Sequence, residues 1–122
     1  MTMRKNDPGY IHLLLDTNPI AVERAVLAIY ARQTAAEQAS ETTSESNGVG
    51  FNVYDARTAA YWVSWITGTK NGKKIGPARH LTGKHLESAR KMMHKYVGQL
   101  SDIASDNLER QAIVEENRYR IA

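Results

Sequence analysis

Apolar positions recur at helical spacing over most of the chain. Val22, Val26, Ile29 and Tyr30 follow one another at intervals that keep them on one face, and Gln33 continues the stripe, as in a helix with one buried side. Asn18-Pro19 opens this segment. The Asn side chain can accept from the free N–H groups of a first turn, and Pro fits the first helical position. A first helix is therefore predicted over residues 19–38, with Arg24 and Arg32 away from the apolar centre. A second is predicted over 53–67, capped by Asn52 with Asp55 three residues on and stopped by Gly68. Tyr54, Tyr61 and Trp65 share one of its faces. Ala59, Trp62, Val63 and Ile66 fill the neighbouring arc, which leaves Arg57 and Ser64 as the polar side. A helix so apolar around its circumference is central, or it offers a second face to a partner.

The third helix has the clearest start. Thr82 stands at the cap, with Leu81 before it and Leu86 at the fourth helical position, a hydrophobic staple. Leu86, Ala89, Met93, Tyr96, Leu100 and Ile103 then alternate in steps of three and four, a regular seam for packing on another helix. Asp106 with Glu109 forms a further capping box. It suggests a break and a thinly apolar fourth helix over 107–120, the alternative being that the third helix continues. Residues 9–15 (GYIHLLL) are too short to assign and fit a strand or a short helix. Residues 1–8 read as a flexible tail and 39–50 as a polar linker rich in turn formers. Residues 68–80 read as a basic loop in which Asn71-Gly72 signals a hairpin. The fold expected is mainly α: a single compact domain over 1–122 with three or four helices. A short N-terminal strand is an option, as is a small basic β-hairpin between the second and third helices. The second helix is placed at the centre.

Composition narrows the chemistry. With 122 residues and no cysteine, the chain forms one domain without disulfides, cysteine nucleophiles or thiolate metal sites, a composition suited to a reducing cytoplasm. Its apolar runs are too short to span a bilayer. Residues 1–7 are polar and lack the apolar core of a signal peptide. A soluble, intracellular protein without membrane contact is expected.

The net charge of +3 is unevenly spread. Between positions 70 and 95 stand eight basic residues, Lys70, Lys73, Lys74, Arg79, Lys84, Arg90, Lys91 and Lys95, against the single acid Glu87, a local excess of seven. The remainder carries eight basic and twelve acidic residues, a net of −4. Such a window attracts polyanions by steering and counterion release. The plainer reading of the same charge is a solvated loop and helix face. Tyr54, Tyr61 and Trp65 are candidate aromatic contacts, because unpaired bases stack on exposed rings. Aromatics at helical spacing are more often core.

No catalytic constellation, cofactor motif or metal-ligand spacing is found. His80, His85 and His94 lie in the basic window without any known ligand spacing. Asn47-Gly48-Val49-Gly50 lacks the Gly-Lys-Ser/Thr of a phosphate loop and reads as a turn. The string LLLDTN (13–18) resembles the first strand of PIN-domain nucleases. Asp16 would then begin a Mg²⁺ or Mn²⁺ site with Glu37, Asp102 and Asp106 as further ligands. The alternating strands of that fold are missing, so Asp16 is more simply a residue near a helix entrance.

Three segments carry a wider resemblance: RQTAAEQ (32–38), NGVGFNVYDA (47–56) and LTGKHLESARKMMHKYVGQL (81–100). In this order and spacing they resemble a largely uncharacterised family of small proteins, and segments of larger ones, encoded by bacteriophages and prophages. The likeness covers about residues 17–103. His85 stands where the family pattern has Gln, and the basic loop over 68–80 is longer than the usual connection. The resemblance implies a viral origin, a nucleic-acid context and the cytoplasm of an infected bacterial host, and it supplies no active site. The leading expectation is a non-enzymatic DNA- or RNA-binding accessory protein using the basic loop and helix face. The alternative is a protein–protein inhibitor of a host defence complex, its partner a host protein or ribonucleoprotein. Self-association through the second and third helices is a third reading.

Overall fold

A computed structural model of the chain describes residues 4–33 and 49–121, with side chains through Arg118. The described residues form five α-helices and one two-stranded hairpin: α1 (Pro8–Thr17), α2 (Pro19–Tyr30), α3 (Ala56–Thr67), β1 (Thr69–Lys70), β2 (Lys73–Lys74), α4 (Gly83–Met93) and α5 (Val97–Ile121). A single 3₁₀ turn, His94–Tyr96, joins α4 to α5. The mainly α architecture with a small basic hairpin is thus as expected. The predicted 39–50 linker lies outside the described residues except at its end, as do the first three residues of the tail.

The N-terminal strand is not formed. Residues 8–17 are helical because Asp7 caps them, its side chain accepting from Gly9 N at 2.8 Å with Pro8 in the first turn. Ile11 and Leu15 point inward from α1. Residues ahead of it, expected to be loose, are tied to α5. The Asn6 amide donates to Ser105 Oγ at 3.0 Å, and Ser101 Oγ donates to the Asn6 carbonyl at 2.6 Å. The cap at Asn18 is formed as predicted, accepting from Ile20 N and Ala21 N.

The centre of the fold is α2, not the second predicted helix. α2 packs against α1, α3, α4 and α5 and buries Val22, Ala25, Val26 and Ile29. α3 contributes Ala56, Ala59, Ala60, Trp62 and Val63 to the core and turns Tyr61 and Trp65 outward. The seam from Leu86 to Ile103 faces inward throughout: Ala89, Met93 and Tyr96 are buried, with Leu86, Leu100 and Ile103 packed at the margin. No break occurs at Asp106. Nothing from Gln99 to Ile121 is Gly or Pro, so α5 runs uninterrupted for 25 residues while the tightening of the backbone falls at 94–96.

Polar contacts lock the entry to α3 against the junction of α4 and α5. Asn52 caps this corner, accepting from Tyr54 N and Asp55 N at 3.0 and 2.9 Å. The hydroxyl of Tyr96 donates to Asp55 Oδ2 at 2.7 Å and accepts from Asn52 N at 3.0 Å. Phe51 meets Tyr96 edge to face. Gln99 clasps Gly50 through both backbone groups at 2.9 Å, and Arg32 donates to Gln99 Oε1 at 3.2 Å. Gly50 has φ +83, and a Cβ there would run into the buried Gln33. The segments around Arg32, Gly50 and Tyr96 therefore meet at one corner.

Burial raises the Tyr96 hydroxyl well above its ordinary 10.0, helped by the hydrogen bond to Asp55 and that carboxylate's charge; the Asn52 N–H acts the other way. The folded state then keeps a proton that the unfolded chain releases as pH rises through 10. The stability this supplies is present below pH 10 and lost above it, by up to about 1.4 kcal/mol per pH unit. In urea unfolding at pH 7, Tyr96→Phe is expected to cost about 1–3 kcal/mol, because Asp55 and the Asn52 N–H lose a buried partner. Above pH 10 the gap between the two proteins should narrow. An identical gap at pH 8 and pH 11 would refute this assignment.

Candidate functional site

The site begins where α3 ends. Gly68 takes φ +70 and its carbonyl accepts from Ile75 N at 2.8 Å and Gly76 N at 3.2 Å. A side chain at Gly68 would collide with the Gly76 carbonyl oxygen and with Pro77, so only glycine lets the loop fold back this closely. Between these contacts stands the hairpin. Thr69 pairs with Lys74 and Lys70 with Lys73, across Asn71-Gly72 at φ 52 and 77. These are the positive φ values of a type I′ turn. All four strand residues are exposed.

Beyond the hairpin the chain is pinned to α3 and then to α2. Arg79 N donates to the Trp65 carbonyl at 3.2 Å, and the Trp65 indole N–H donates to the His80 carbonyl at 3.1 Å. His80 Nδ1 donates to Glu23 Oε1 at 3.0 Å, and Leu81 N donates to Glu23 Oε2 at 2.7 Å. Glu23 is buried on α2, so its carboxylate draws these donors from the loop rather than from water.

Between α3 and the returning loop lies an open groove of about 500 Å³, lined by Arg57, Tyr61, Trp65, Lys70, Ile75 and Arg79 among others. Three of these are cations, and no acid is among the lining residues. Arg57, Tyr61 and Trp65 stand four residues apart on one stripe of α3. The Arg79 guanidinium lies over the indole of Trp65, 4.5 Å from the ring centroid, a cation–π contact. Tyr61 tilts against His85 of α4, with ring centroids 5.9 Å apart.

The predicted basic residues divide. Lys70, Lys73, Lys74 and Arg79 are exposed on the loop, and Lys84 and Lys91 are exposed on α4. Arg90, partly buried, and Lys95, exposed, are each engaged by partners within the fold. Arg90 Nε donates to the Leu15 carbonyl at 2.8 Å and its guanidinium pairs with Glu87. Lys95 Nζ lies 2.8 Å from Asp55 Oδ2. These two fasten α4 to α1 and the 3₁₀ turn to the start of α3. Of the three aromatics, Tyr61 and Trp65 come together in the groove, 54% and 37% exposed, while Tyr54 is 88% exposed but does not line it. Arg57 and Ser64, assigned from the sequence to the polar side of the helix, line the groove together with Tyr61 and Trp65; the i, i+4 spacing of Arg57 to Tyr61 carried that signal.

The other candidate chemistry does not assemble. Asp16 sits near the end of α1, not of a strand, and accepts from His94 Nε2 at 2.8 Å. His94 Nδ1 lies 2.6 Å from His12 Nδ1, so a neutral His94 accepts there from His12. Asp102 and Asp106 are exposed on α5, and Glu37 lies outside the described residues. Among the described residues no group of three or more His, Asp or Glu side chains is placed to hold a metal ion, and no helix is long and apolar enough to cross a membrane. Compared with protein-family models, with curated proteins and with solved structures, the chain matches none.

Gly68→Ala should open the loop. It forces a side chain into the left-handed region and against Gly76, at a cost of about 1–3 kcal/mol. Hydrogen exchange at the Ile75 and Gly76 amides is expected to accelerate, with α5 amides following only the global loss. Unchanged protection at these two positions would mean that the Gly68 carbonyl does not hold the loop.

Proposed function

We propose that the chain is a non-enzymatic, phage-encoded nucleic-acid-binding protein acting in the cytoplasm of the infected host. The observation that carries this reading is the placement of six exposed basic side chains on two consecutive elements, Lys70, Lys73, Lys74 and Arg79 on the loop with Lys84 and Lys91 on α4. Two of them, Lys70 and Arg79, line a groove that has no acid among its lining residues. Among the described residues, Glu23 bonds His80, Asp55 pairs with Lys95 and Glu87 pairs with Arg90. Contacts of lysine and arginine with phosphates position a protein without reading sequence, which suits an accessory role. Arg32, Gly50 and Gln99, one from each of the three resemblance-bearing segments, are hydrogen-bonded together, and the loop adds the charge.

Six neutralised phosphates on a duplex correspond to a log–log salt slope of about −5, a loss of roughly a thousandfold in affinity between 50 and 200 mM salt. Lys73→Ala with Lys74→Ala should reduce the magnitude of that slope by about two. Both residues are exposed on the hairpin, so thermal stability should stay within about 0.5 kcal/mol. Fluorescence anisotropy over a salt series measures both quantities. Absence of salt-sensitive binding to single- and double-stranded DNA and RNA would remove this function. A stoichiometric protein partner that survives nuclease treatment in a pull-down would then favour inhibition of a host complex.

A further inference from the structure

We infer that the groove between α3 and the returning loop is a binding site for an unpaired nucleobase and its flanking phosphate, so that the protein prefers single-stranded to duplex nucleic acid. This rests on the nucleic-acid reading above and specifies what that reading leaves open.

The groove joins two kinds of side chain that a single strand needs together. Tyr61 and Trp65 present aromatic surface to solvent, although a helix with so many apolar positions would ordinarily bury its rings, as α3 does with Trp62 at 2% exposure. Arg57, Lys70 and Arg79 line the same volume. A duplex hides the faces of its bases in the stack and offers phosphates and base edges. Exposed rings therefore add little to duplex binding, whereas an unpaired base can lie on them. The cations serve both polymers, and the rings serve one.

The groove is also built before any ligand arrives. The indole plane of Trp65 is fixed at its N–H by the His80 carbonyl, and Arg79 is held by its own N–H on the Trp65 carbonyl. The opposite wall is set by the turn at Gly68. Its volume of about 500 Å³ falls within the 300–1,000 Å³ range of small-ligand pockets. The Arg57–Tyr61–Trp65 stripe spans eight residues, about 12 Å of helix. The strand would thus run along α3, with Arg57 and Lys70 placed for phosphates and the Trp65–Arg79 pair for a base.

The test compares labelled DNA and RNA strands of about twenty nucleotides, longer than one site, with the corresponding duplexes, using anisotropy at fixed salt. Wild type is expected to bind the single strands more tightly. Trp65→Leu should weaken single-strand binding at least fivefold, the equivalent of losing one stacked base, and leave duplex binding within twofold. Tyr61→Leu changes a residue exposed over half its surface and keeps the test valid if Trp65→Leu fails to fold; the same selective loss is expected. Arg79→Lys keeps the charge but removes the planar stack, so the salt slope should hold while single-strand affinity falls. Equal binding of wild type to both polymers overturns the inference, as does an equal loss on both in the two ring variants, and in either case the charge-based function survives. No binding to any nucleic acid overturns both.

Discussion

A buried carboxylate on the central helix fastens to the core the loop that returns from the hairpin. Glu23 accepts the Leu81 N–H and the His80 ring, so the chain leaving the hairpin arrives at α4 in one place. The His80 carbonyl then fixes the Trp65 indole, and the neighbouring Arg79 is carried onto its face. A buried charge left without partners would be costly. The loop supplies those partners, and the carboxylate's need for them fixes the loop in return. The exposed groove is thereby tied, through two hydrogen-bonding steps, to the helix on which α1, α3, α4 and α5 all pack.

The hairpin stands outside the core. Its strand residues are all exposed and its turn depends only on Asn71-Gly72. Lys73 and Lys74 there can be replaced with little effect on folding, whereas Gly68 cannot change without disturbing the loop's return. The surface therefore separates an exposed source of charge on the hairpin from a fixed geometry in the groove.

What was legible in the sequence was local. Asn18-Pro19, Gly68, Asn71-Gly72 and the seam from Leu86 to Ile103 each act within a few residues, and each does in the structure what its chemistry dictates. The helix over 8–17 was also legible in principle, since Asp7-Pro8 repeats the arrangement of Asn18-Pro19, but the apolar run behind it fits either period. The commitments of Arg90 and Lys95 were not legible, because their partners Leu15 and Asp55 lie 75 and 40 positions away. The position of the core was misjudged for a related reason. An apolar circumference on α3 suggested the centre, but Tyr61 and Trp65 face outward, and α2 sits in the middle with fewer aromatic residues and a buried charged one, Glu23. The Asp106 capping box lost to the uninterrupted helix propensity on either side of it.

The two tryptophans occupy opposite extremes of a single helix. Trp62 is sealed among the helices, and Trp65, one turn on, lies under a guanidinium at the rim. Emission from the chain is therefore the sum of an internal standard and an environmental sensor. The molecule carries its own two-channel optical gauge, in which a quencher dissolved in the solvent dims one component and leaves the other for as long as the interior stays closed.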